Sequence, residues 1–194
     1  MNLHILVGDI TTINNIDVIV NSANKSLLRG SGVCGSIHKA GGQIIEDECK
    51  RKYPNGIEDT QVGITIAGNL KAKYLLHVVT PKYHLVDDPL SLLRESYKNI
   101  FKVAEELECQ SICLPFIGAG VCAYPKELAG TIALEEIYKC NIDNVVIVLY
   151  KESDKKYFNS KTRGKYFQEN IPYVNQFKVK NIGLNKKFGL LKHS

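Results

Sequence analysis

Two stretches of small residues each lie between an apolar run and a helical pattern, and their composition suits an anion. The first covers residues 21–35 and contains GVCG at 32–35, and the second covers residues 117–125 and contains GAG at 118–120. Backbone N–H groups at a helix start have no acceptor within the helix and carry partial positive charge. Because small side chains let a phosphate come close to such amides, both stretches predict phosphate contacts.

Three polar residues stand where predicted strands end. Asp9 follows the first apolar run, and a carboxylate there can accept a hydrogen bond from an exocyclic amine such as that of adenine. Asn21 and Asn24 follow the second apolar run, where their amides can bind sugar hydroxyls. Each residue alone is more typical of a turn or a strand cap than of a ligand contact. Only their combination with the two loops indicates a site.

The common nucleotide-binding motifs are missing. The chain has no GxxxxGK[ST] motif, and its nearest match to GxGxxG, at residues 30–35, lacks the acidic partner of a dinucleotide site. The sequence therefore disfavours a P-loop nucleotidase and a dinucleotide-dependent dehydrogenase.

Length, cysteines and hydropathy limit the remaining possibilities. The 194 residues suit one domain, and no apolar run approaches the length of a membrane span. The N-terminus has no secretory pattern, so we expect a cytoplasmic protein without a membrane partner. The cysteines show no metal-site spacing, so we expect reduced, structural thiols and neither a metal nor a cofactor. They are Cys34, Cys49, Cys109, Cys113, Cys122 and Cys140.

Basic residues concentrate near the end of the chain. Residues 1–150 hold 14 Lys or Arg against 17 Asp or Glu, whereas residues 151–194 hold 11 against 3. We expect a domain over residues 1–168 and a basic tail over residues 169–194. A solvated tail is the simpler interpretation, and an arm that binds nucleic acid is a less favoured alternative.

Strand and helix patterns alternate along the chain. Apolar runs predict strands at 3–7, 16–20, 62–67, 75–80, 111–116 and 145–150. Helical periodicity predicts helices at 36–52, 89–107, 126–139 and, with a polar pattern, 153–169. This alternation predicts an α/β fold in which helices cover both faces of a mostly parallel sheet, with ligands bound at the carboxyl ends of the strands.

Five motifs closely resemble the macrodomain family, in the family's order and spacing, over roughly residues 2–165. They are GDIT at 8–11, IVNSAN at 19–24, GSGVCGSIHKAGG at 30–42, LHVVTP at 76–81, and PFIGAG at 115–120 with Tyr124-Pro125. The resemblance implies a three-layer α/β/α sandwich with a mixed, mostly parallel central sheet, and it implies ADP-ribose as the ligand.

The resemblance also implies which residues contact ADP-ribose. Asp9 would meet the adenine amine with Ile10 beside it, and Tyr150 would pack on adenine. The amides around Val33 and from Gly118 to Cys122 would hold the diphosphate, and Asn24 with the turn at residues 30–32 would hold the distal ribose. The ligand-binding residues predicted in this way, together with Asn21, are Asp9, Ile10, Asn21, Asn24, Gly30, Ser31, Gly32, Val33, Cys34, Gly118, Ala119, Gly120, Val121, Cys122 and Tyr150.

The family contains both binding proteins and hydrolases. Some members remove ADP-ribose from acidic side chains or deacetylate O-acetyl-ADP-ribose. Cys34 stands where one hydrolytic branch has an aspartate, and Cys122 stands where an aromatic residue is common. The viral macrodomains, which this sequence also resembles, carry a small residue at the Cys34 position and are hydrolases. The resemblance therefore implies a catalytic role for Asn24, which would orient the ribose. From its position in the first loop we also predict a catalytic role for Arg29, whose charge could lie near the distal phosphate or leaving carboxylate, although a solvated loop arginine is the simpler interpretation.

Three functions remain open from the sequence. The favoured one is a hydrolase acting on mono-ADP-ribosyl linkages to protein acidic residues or on O-acetyl-ADP-ribose. The alternatives are a non-catalytic ADP-ribose reader and a nucleic-acid-associated macrodomain that uses its basic tail. In each case we expect a monomer whose main partner is ADP-ribose or an ADP-ribosylated protein.

Overall fold

The computed structural model describes residues 1–158, which form six strands, four α-helices and three short 3-10 helices. The strands are β1 (Asn2–Val7), β2 (Ile16–Ala23), β3 (Val62–Ile66), β4 (Ala72–Val79), β5 (Ser111–Pro115) and β6 (Asn144–Leu149). The α-helices are α1 (Gly32–Gly41), α2 (Gln43–Lys52), α3 (Pro89–Glu106) and α4 (Lys126–Ile137). The 3-10 helices cover Ile10–Thr12, Tyr83–Leu85 and Glu152–Phe158.

All six strands join one sheet in the order β1-β6-β5-β2-β4-β3. Every neighbouring pair is parallel except β3 and β4, which run antiparallel. Five strands therefore point the same way, and the loops that leave their carboxyl ends emerge at one edge of the sheet. This topology confirms the prediction of a mixed, mostly parallel sheet.

Helices cover both faces of this sheet. On β2, Ile19 faces the cluster that includes Ile37 of α1 and Ile45 of α2, whereas its neighbour Val20 faces the cluster that includes Ile100 of α3. Strands that are buried on both faces need apolar residues at nearly every position, which explains their continuous apolar runs. The three-layer α/β/α sandwich is confirmed.

The structure corrects two predicted elements next to the first loop. Strand β2 continues three residues beyond its predicted end, to Ala23. The single helix predicted at 36–52 is wrong, because α1 begins at Gly32 and the helix breaks at Gly42, where φ is 90°. A positive φ of this size interrupts a right-handed helix, and glycine adopts it at little cost. Of the predicted helix at 153–169, residues up to 158 form a 3-10 helix and the remainder lies outside the described residues, as does the tail at 169–194.

The outer edge of β3 is covered by side chains of α2 and the residue that follows it. The N–H of Ile64 donates to Tyr53 Oη at 2.7 Å, and the N–H of Ile66 donates to Glu48 Oε2 at 2.6 Å. Lys52 Nζ donates to the carbonyl oxygen of Ile64 at 3.2 Å. The exposed margin of the sheet thus finds hydrogen-bond partners within the chain. Among the helices described, none has the combination of length and apolarity that crossing a membrane requires.

Candidate ligand-binding site

The carboxyl edge of the sheet gathers most of the residues that the sequence predicts to bind a ligand. Asp9 follows β1, Asn24 follows β2, the loop at 116–125 follows β5, and Tyr150 follows β6. Because β1, β2, β5 and β6 are mutually parallel through the sheet, these segments share one edge. The two loops of small residues therefore flank a common surface.

The start of α1 presents main-chain donors. Ser31 is the residue before the helix, and its side chain makes no capping hydrogen bond. The first bond within the helix runs from the N–H of Gly35 to the carbonyl oxygen of Ser31 at 3.3 Å. Within residues 1–158, nothing accepts from the N–H groups of Gly32, Val33 and Cys34. Three adjacent unpaired amides at a helix start form a favourable position for an anion.

Close packing brings Asn24 beside this helix start. A Cβ added at Gly35 would lie 2.5 Å from the carbonyl oxygen of Gly30, so only glycine lets the loop fold back on the helix. A Cβ added at Gly30 would lie 3.2 Å from Asn24 Nδ2, which places the amide of Asn24 against the same turn. The glycines of this loop thus set the distance between Asn24 and the unpaired amides.

The side-chain amide of Asn24 is held at both ends. Its Nδ2 donates to the carbonyl oxygen of Leu28 at 2.9 Å, and its Oδ1 accepts from Ser26 Oγ at 2.7 Å. An asparagine side chain has two N–H donors and two oxygen lone pairs. One donor and one lone pair therefore remain for a ligand, and Asn24 is exposed to solvent.

The second loop offers a further set of amides. The N–H of Ala119 donates to the carbonyl oxygen of Phe116 at 3.2 Å, which removes it from the predicted run of phosphate-binding amides. In the described part of the chain, the N–H groups of Gly120, Val121 and Cys122 have no acceptor. A Cβ added at Gly120 would meet nothing within 4 Å, so open space lies in front of this loop.

The thiol of Cys122 points away from that space. Cys122 Sγ donates to the carbonyl oxygen of Thr80 at 3.3 Å, and the carbonyl oxygen of Cys122 accepts from the N–H of Tyr83 at 2.8 Å. Burial raises the pKa of the Cys122 thiol. Cys122 therefore offers its main-chain amide to a ligand, while its side chain fastens the loop to the end of β4.

Asp9 and Tyr150 follow the neighbouring strands β1 and β6, and both are exposed. Asp9 Oδ1 accepts from the N–H and the hydroxyl of Thr11, at 2.9 Å and 2.8 Å, and none of the described residues donates to Oδ2. The side chain of Tyr150 is 88% exposed, which is unusual for an aromatic residue that ends a core strand. The side chain of Ile10 is buried, so only its main chain can meet a ligand.

The prediction that Asn21 contacts a sugar is wrong in this structure. Because β2 continues through Asn21, its side chain points into the core and has no exposed surface. Asn21 Nδ2 lies 3.1 Å from His77 Nδ1 and 3.6 Å from Cys34 Sγ. Asn21 thus belongs to the buried layer beneath the site and does not form part of its exposed surface.

Cys34 has a buried thiol and an available amide. Its side chain is 5% exposed, and Sγ donates to the carbonyl oxygen of Leu28 at 3.7 Å. His38 lies one helical turn further on, but its ring nitrogens make no hydrogen bond to any described residue. Burial lowers the pKa of His38, and the charge of Arg29 lowers it further. Cys34 and His38 therefore form no nucleophile–base pair.

His77 is a residue to which the sequence assigned no role. It is fully buried in β4, and its Nε2 lies 2.8 Å from Thr65 Oγ1. Burial lowers the pKa of His77 to about 3, so the ring is neutral at ordinary pH. A histidine within the apolar motif LHVVTP is the only sequence signal that marks it.

Arg29 is exposed and lies in the loop that precedes α1. Within residues 1–158, no three His, Cys, Asp or Glu side chains are grouped as a metal ion would require.

Comparisons with known proteins relate this chain to one family. A family model described as Macro domain matches residues 20–133. An O-acetyl-ADP-ribose deacetylase from Enterobacter cloacae is 39% identical over 140 residues, which cover 71% of this chain and 77% of that protein. An uncharacterized protein from Thermoplasma volcanium is 37% identical over 81% of this chain and 89% of its own length.

Solved structures show the same fold. The Oceanobacillus iheyensis macrodomain with ADP superposes with a TM-score of 0.77 at 33% identity, covering 84% of this chain and 90% of that chain. The Trypanosoma brucei macrodomain in complex with ADP-ribose superposes with a TM-score of 0.73 at 29% identity, covering 81% and 67% of the two chains. On its motifs, its fold and these matches, the chain belongs to the macro domain family.

Proposed function

We propose that this protein binds ADP-ribose at the carboxyl edge of its sheet and hydrolyses esters of ADP-ribose. The observation that carries the proposal is the pair of unpaired amide groups at 32–34 and 120–122, which flank one surface. A diphosphate has two anionic groups and fits two such donor sets. Residues 1–150 carry more acidic than basic side chains, so oriented amides supply the attraction.

Adenine would lie toward β1 and β6. The exposed ring of Tyr150 offers a flat apolar surface for the base, and Asp9 Oδ2 offers an acceptor for the exocyclic amine. A carboxylate acceptor distinguishes adenine from bases that present a carbonyl at the same position. The relatives bound to ADP and to ADP-ribose support a ligand of this class.

The distal ribose would lie beside Asn24 and the turn at residues 30–32. The remaining donor and lone pair of Asn24 suit ribose hydroxyls, and the loop glycines allow the sugar to approach the backbone. We propose Asn24 as the residue that orients the ribose and Arg29 as the cation that attracts the departing carboxylate.

The reaction is hydrolysis of an ester that joins a ribose oxygen to a carboxylic acid. O-acetyl-ADP-ribose and ADP-ribosylated acidic side chains share this bond, and both would release ADP-ribose and a carboxylate. The bond between the acyl carbon and the ribose oxygen breaks as the oxygen of water joins the acyl carbon. One proton of the water passes to the ribose oxygen, and the other is lost to solvent as the acid becomes a carboxylate. Because position 34 holds a buried cysteine, catalysis rests on orientation and charge stabilisation rather than on a carboxylate base at that position.

The test combines a binding measurement with a turnover measurement. Calorimetry with ADP-ribose should give heat, and incubation with O-acetyl-ADP-ribose or with protein modified on acidic residues should release ADP-ribose. Absence of heat at millimolar ADP-ribose would contradict the whole proposal. Binding without release from either substrate would support the reader function instead.

The remaining expectations stay predictions. The basic tail lies outside the described residues. If the tail is a nucleic-acid-binding arm, the full chain should bind nucleic acid and lose that binding at raised salt. A domain limit near residue 168, a monomer in solution and a cytoplasmic location are likewise proposed from the sequence.

A further inference from the structure

Buried hydrogen bonds connect the sheet core to the underside of the first loop. His77 Nε2 lies 2.8 Å from Thr65 Oγ1, and Thr65 Oγ1 lies 3.0 Å from the carbonyl oxygen of Ile66. A hydroxyl that donates to that carbonyl accepts from the N–H of His77 Nε2. Nδ1 of the neutral ring is then the acceptor for Asn21 Nδ2, at 3.1 Å.

The series of hydrogen bonds continues from the core to Asn24 at the surface. Asn21 Nδ2 also faces Cys34 Sγ at 3.6 Å, and Cys34 Sγ donates to the carbonyl oxygen of Leu28 at 3.7 Å. That carbonyl is the acceptor of Asn24 Nδ2 at 2.9 Å. The carbonyl oxygen of Leu28 therefore joins two side chains, one from the buried series and one from the proposed ribose site.

Keeping Asn21 in this place is costly. The Oδ1 atom of Asn21 is buried and has no partner among the described residues. An unpaired buried acceptor destabilises the folded state, although Nδ2 of the same amide donates to Nδ1 of the buried His77. A polar group retained at such a cost calls for a role beyond packing.

We infer that Asn21 and Cys34 are positioning residues that fix the side-chain amide of Asn24 through the carbonyl oxygen of Leu28. The thiol of Cys34 links α1 to the first loop through its hydrogen bond to Leu28, and it does not act as a nucleophile. The hydrogen bonds of Asn21 are buried, so water does not compete for them and they orient their members firmly, whereas the last bond, from Asn24 to Leu28, is exposed. The effect on turnover rests on the proposed function, whereas the effect on Asn24 itself does not.

The experiment compares four variants, each first shown to be folded by its thermal midpoint. Cys34→Ala removes the thiol that donates to Leu28, Cys34→Ser replaces it with a hydroxyl donor, and Asn21→Leu removes the buried amide. Cys113→Ala is the matched control, because Cys113 is a fully buried thiol on the same sheet face with no hydrogen bond in the described structure. The readouts are the NMR side-chain amide resonances of Asn24 without ligand, and kcat and KM with O-acetyl-ADP-ribose.

Cys34→Ala and Asn21→Leu should shift the Asn24 resonances and lower kcat about threefold to tenfold, the range of one neutral hydrogen bond, with KM nearly unchanged. Cys34→Ser should retain most of kcat, and Cys113→Ala should change neither readout. Unchanged Asn24 resonances in Cys34→Ala, or shifted resonances with an unchanged kcat, would overturn the inference. If the wild type shows no turnover, the proposed function fails, and the resonances alone decide whether the buried bonds position Asn24. Should Asn21→Leu fail to fold, the comparison of Cys34→Ala with Cys34→Ser tests the same inference.

Discussion

The N–H of Ala123 donates to the carbonyl oxygen of Gly120 at 3.0 Å, which closes the second loop into a turn and leaves the amides between them facing outward. A Cβ at Gly120 would stand in the open space before these amides. Because φ at Gly120 lies outside the left-handed region, a side chain there adds bulk without backbone strain.

Substitution of Gly120 should therefore weaken ADP-ribose binding in proportion to side-chain size. We expect a modest loss for Gly120→Ala, a larger one for Gly120→Val, and no detectable binding for Gly120→Glu, which adds like charge to bulk. Calorimetry measures the affinity, and thermal unfolding should show little change across the series. Normal affinity in Gly120→Glu would place the diphosphate elsewhere.

Replacement of Asp9 should weaken ADP-ribose binding through loss of the adenine contact. Loss of a hydrogen bond to a charged group costs about 1.5–3 kcal/mol, or roughly a tenfold to hundredfold rise in Kd. Asp9 also accepts from Thr11, so Thr11→Val serves as the control, because it removes the hydroxyl partner and keeps the carboxylate. Equal affinities in Asp9→Ala and the wild type would leave Asp9 as a turn residue only.

Removal of the Tyr150 ring should reduce affinity without reducing stability. The ring is 88% exposed, so Tyr150→Ala loses little burial in the free protein. Stacking of a base on an aromatic ring contributes about 1–3 kcal/mol by alanine substitution, and Tyr150→Phe should retain it. A titration of each variant with ADP-ribose and with AMP tests this, and both ligands should respond alike because both carry adenine.

Asn24→Ala should lower kcat far more than it weakens ADP-ribose binding. Asn24 would touch the ribose that bears the scissile bond, while adenine and diphosphate contacts supply most of the affinity. Ser26→Ala is a graded control, because it removes the donor to Asn24 Oδ1 and leaves the bond to Leu28. Equal losses in kcat and in affinity for Asn24→Ala would instead assign Asn24 to binding alone.

Burial of His77 should make the protein less stable in acid. Its pKa is about 3 in the folded protein and 6.5 in the unfolded chain, so only the unfolded state gains the proton between these values. The stability due to neutral His77 is therefore complete above pH 6.5 and is lost as pH falls toward 3, by at most about 1.4 kcal/mol per pH unit. In His77→Gln the slope between pH 6.5 and 4 should be smaller than in the wild type, as denaturant unfolding at each pH will show.

The sequence predicted the layers of the fold because its strands and helices carry strong patterns. Strands such as β5 and β6 are continuous apolar runs, and α3 keeps one apolar stripe through 18 residues. These apolar patterns extend over many residues of each element, so they can be recognised without knowledge of the tertiary structure.

The first loop was harder to predict because its structure depends on contacts distant in sequence. Asn21 appeared to end a strand, but pairing with His77 of β4 extends β2 and turns the amide inward. Gly42 looked like part of one helix, and its φ of 90° breaks it, beside Asn69 of a distant turn. The N–H of Ala119, which was predicted to bind phosphate, donates instead to the carbonyl oxygen of Phe116. Each of these residues is compatible with more than one conformation, and its hydrogen-bond or packing partner determines which one it adopts.

The bonds from Tyr53 and Glu48 to the outer edge of β3 bear on how this protein meets other copies of itself. A sheet grows by recruiting a strand to vacant N–H groups, and at Ile64 and Ile66 those groups already have acceptors. At these two positions the β3 margin is closed to strand addition, so β3 does not offer a free edge there to a second copy of the chain. Tyr53→Phe would reopen one vacancy, and a concentration-dependent rise in apparent mass by sedimentation would reveal self-association that the wild type resists.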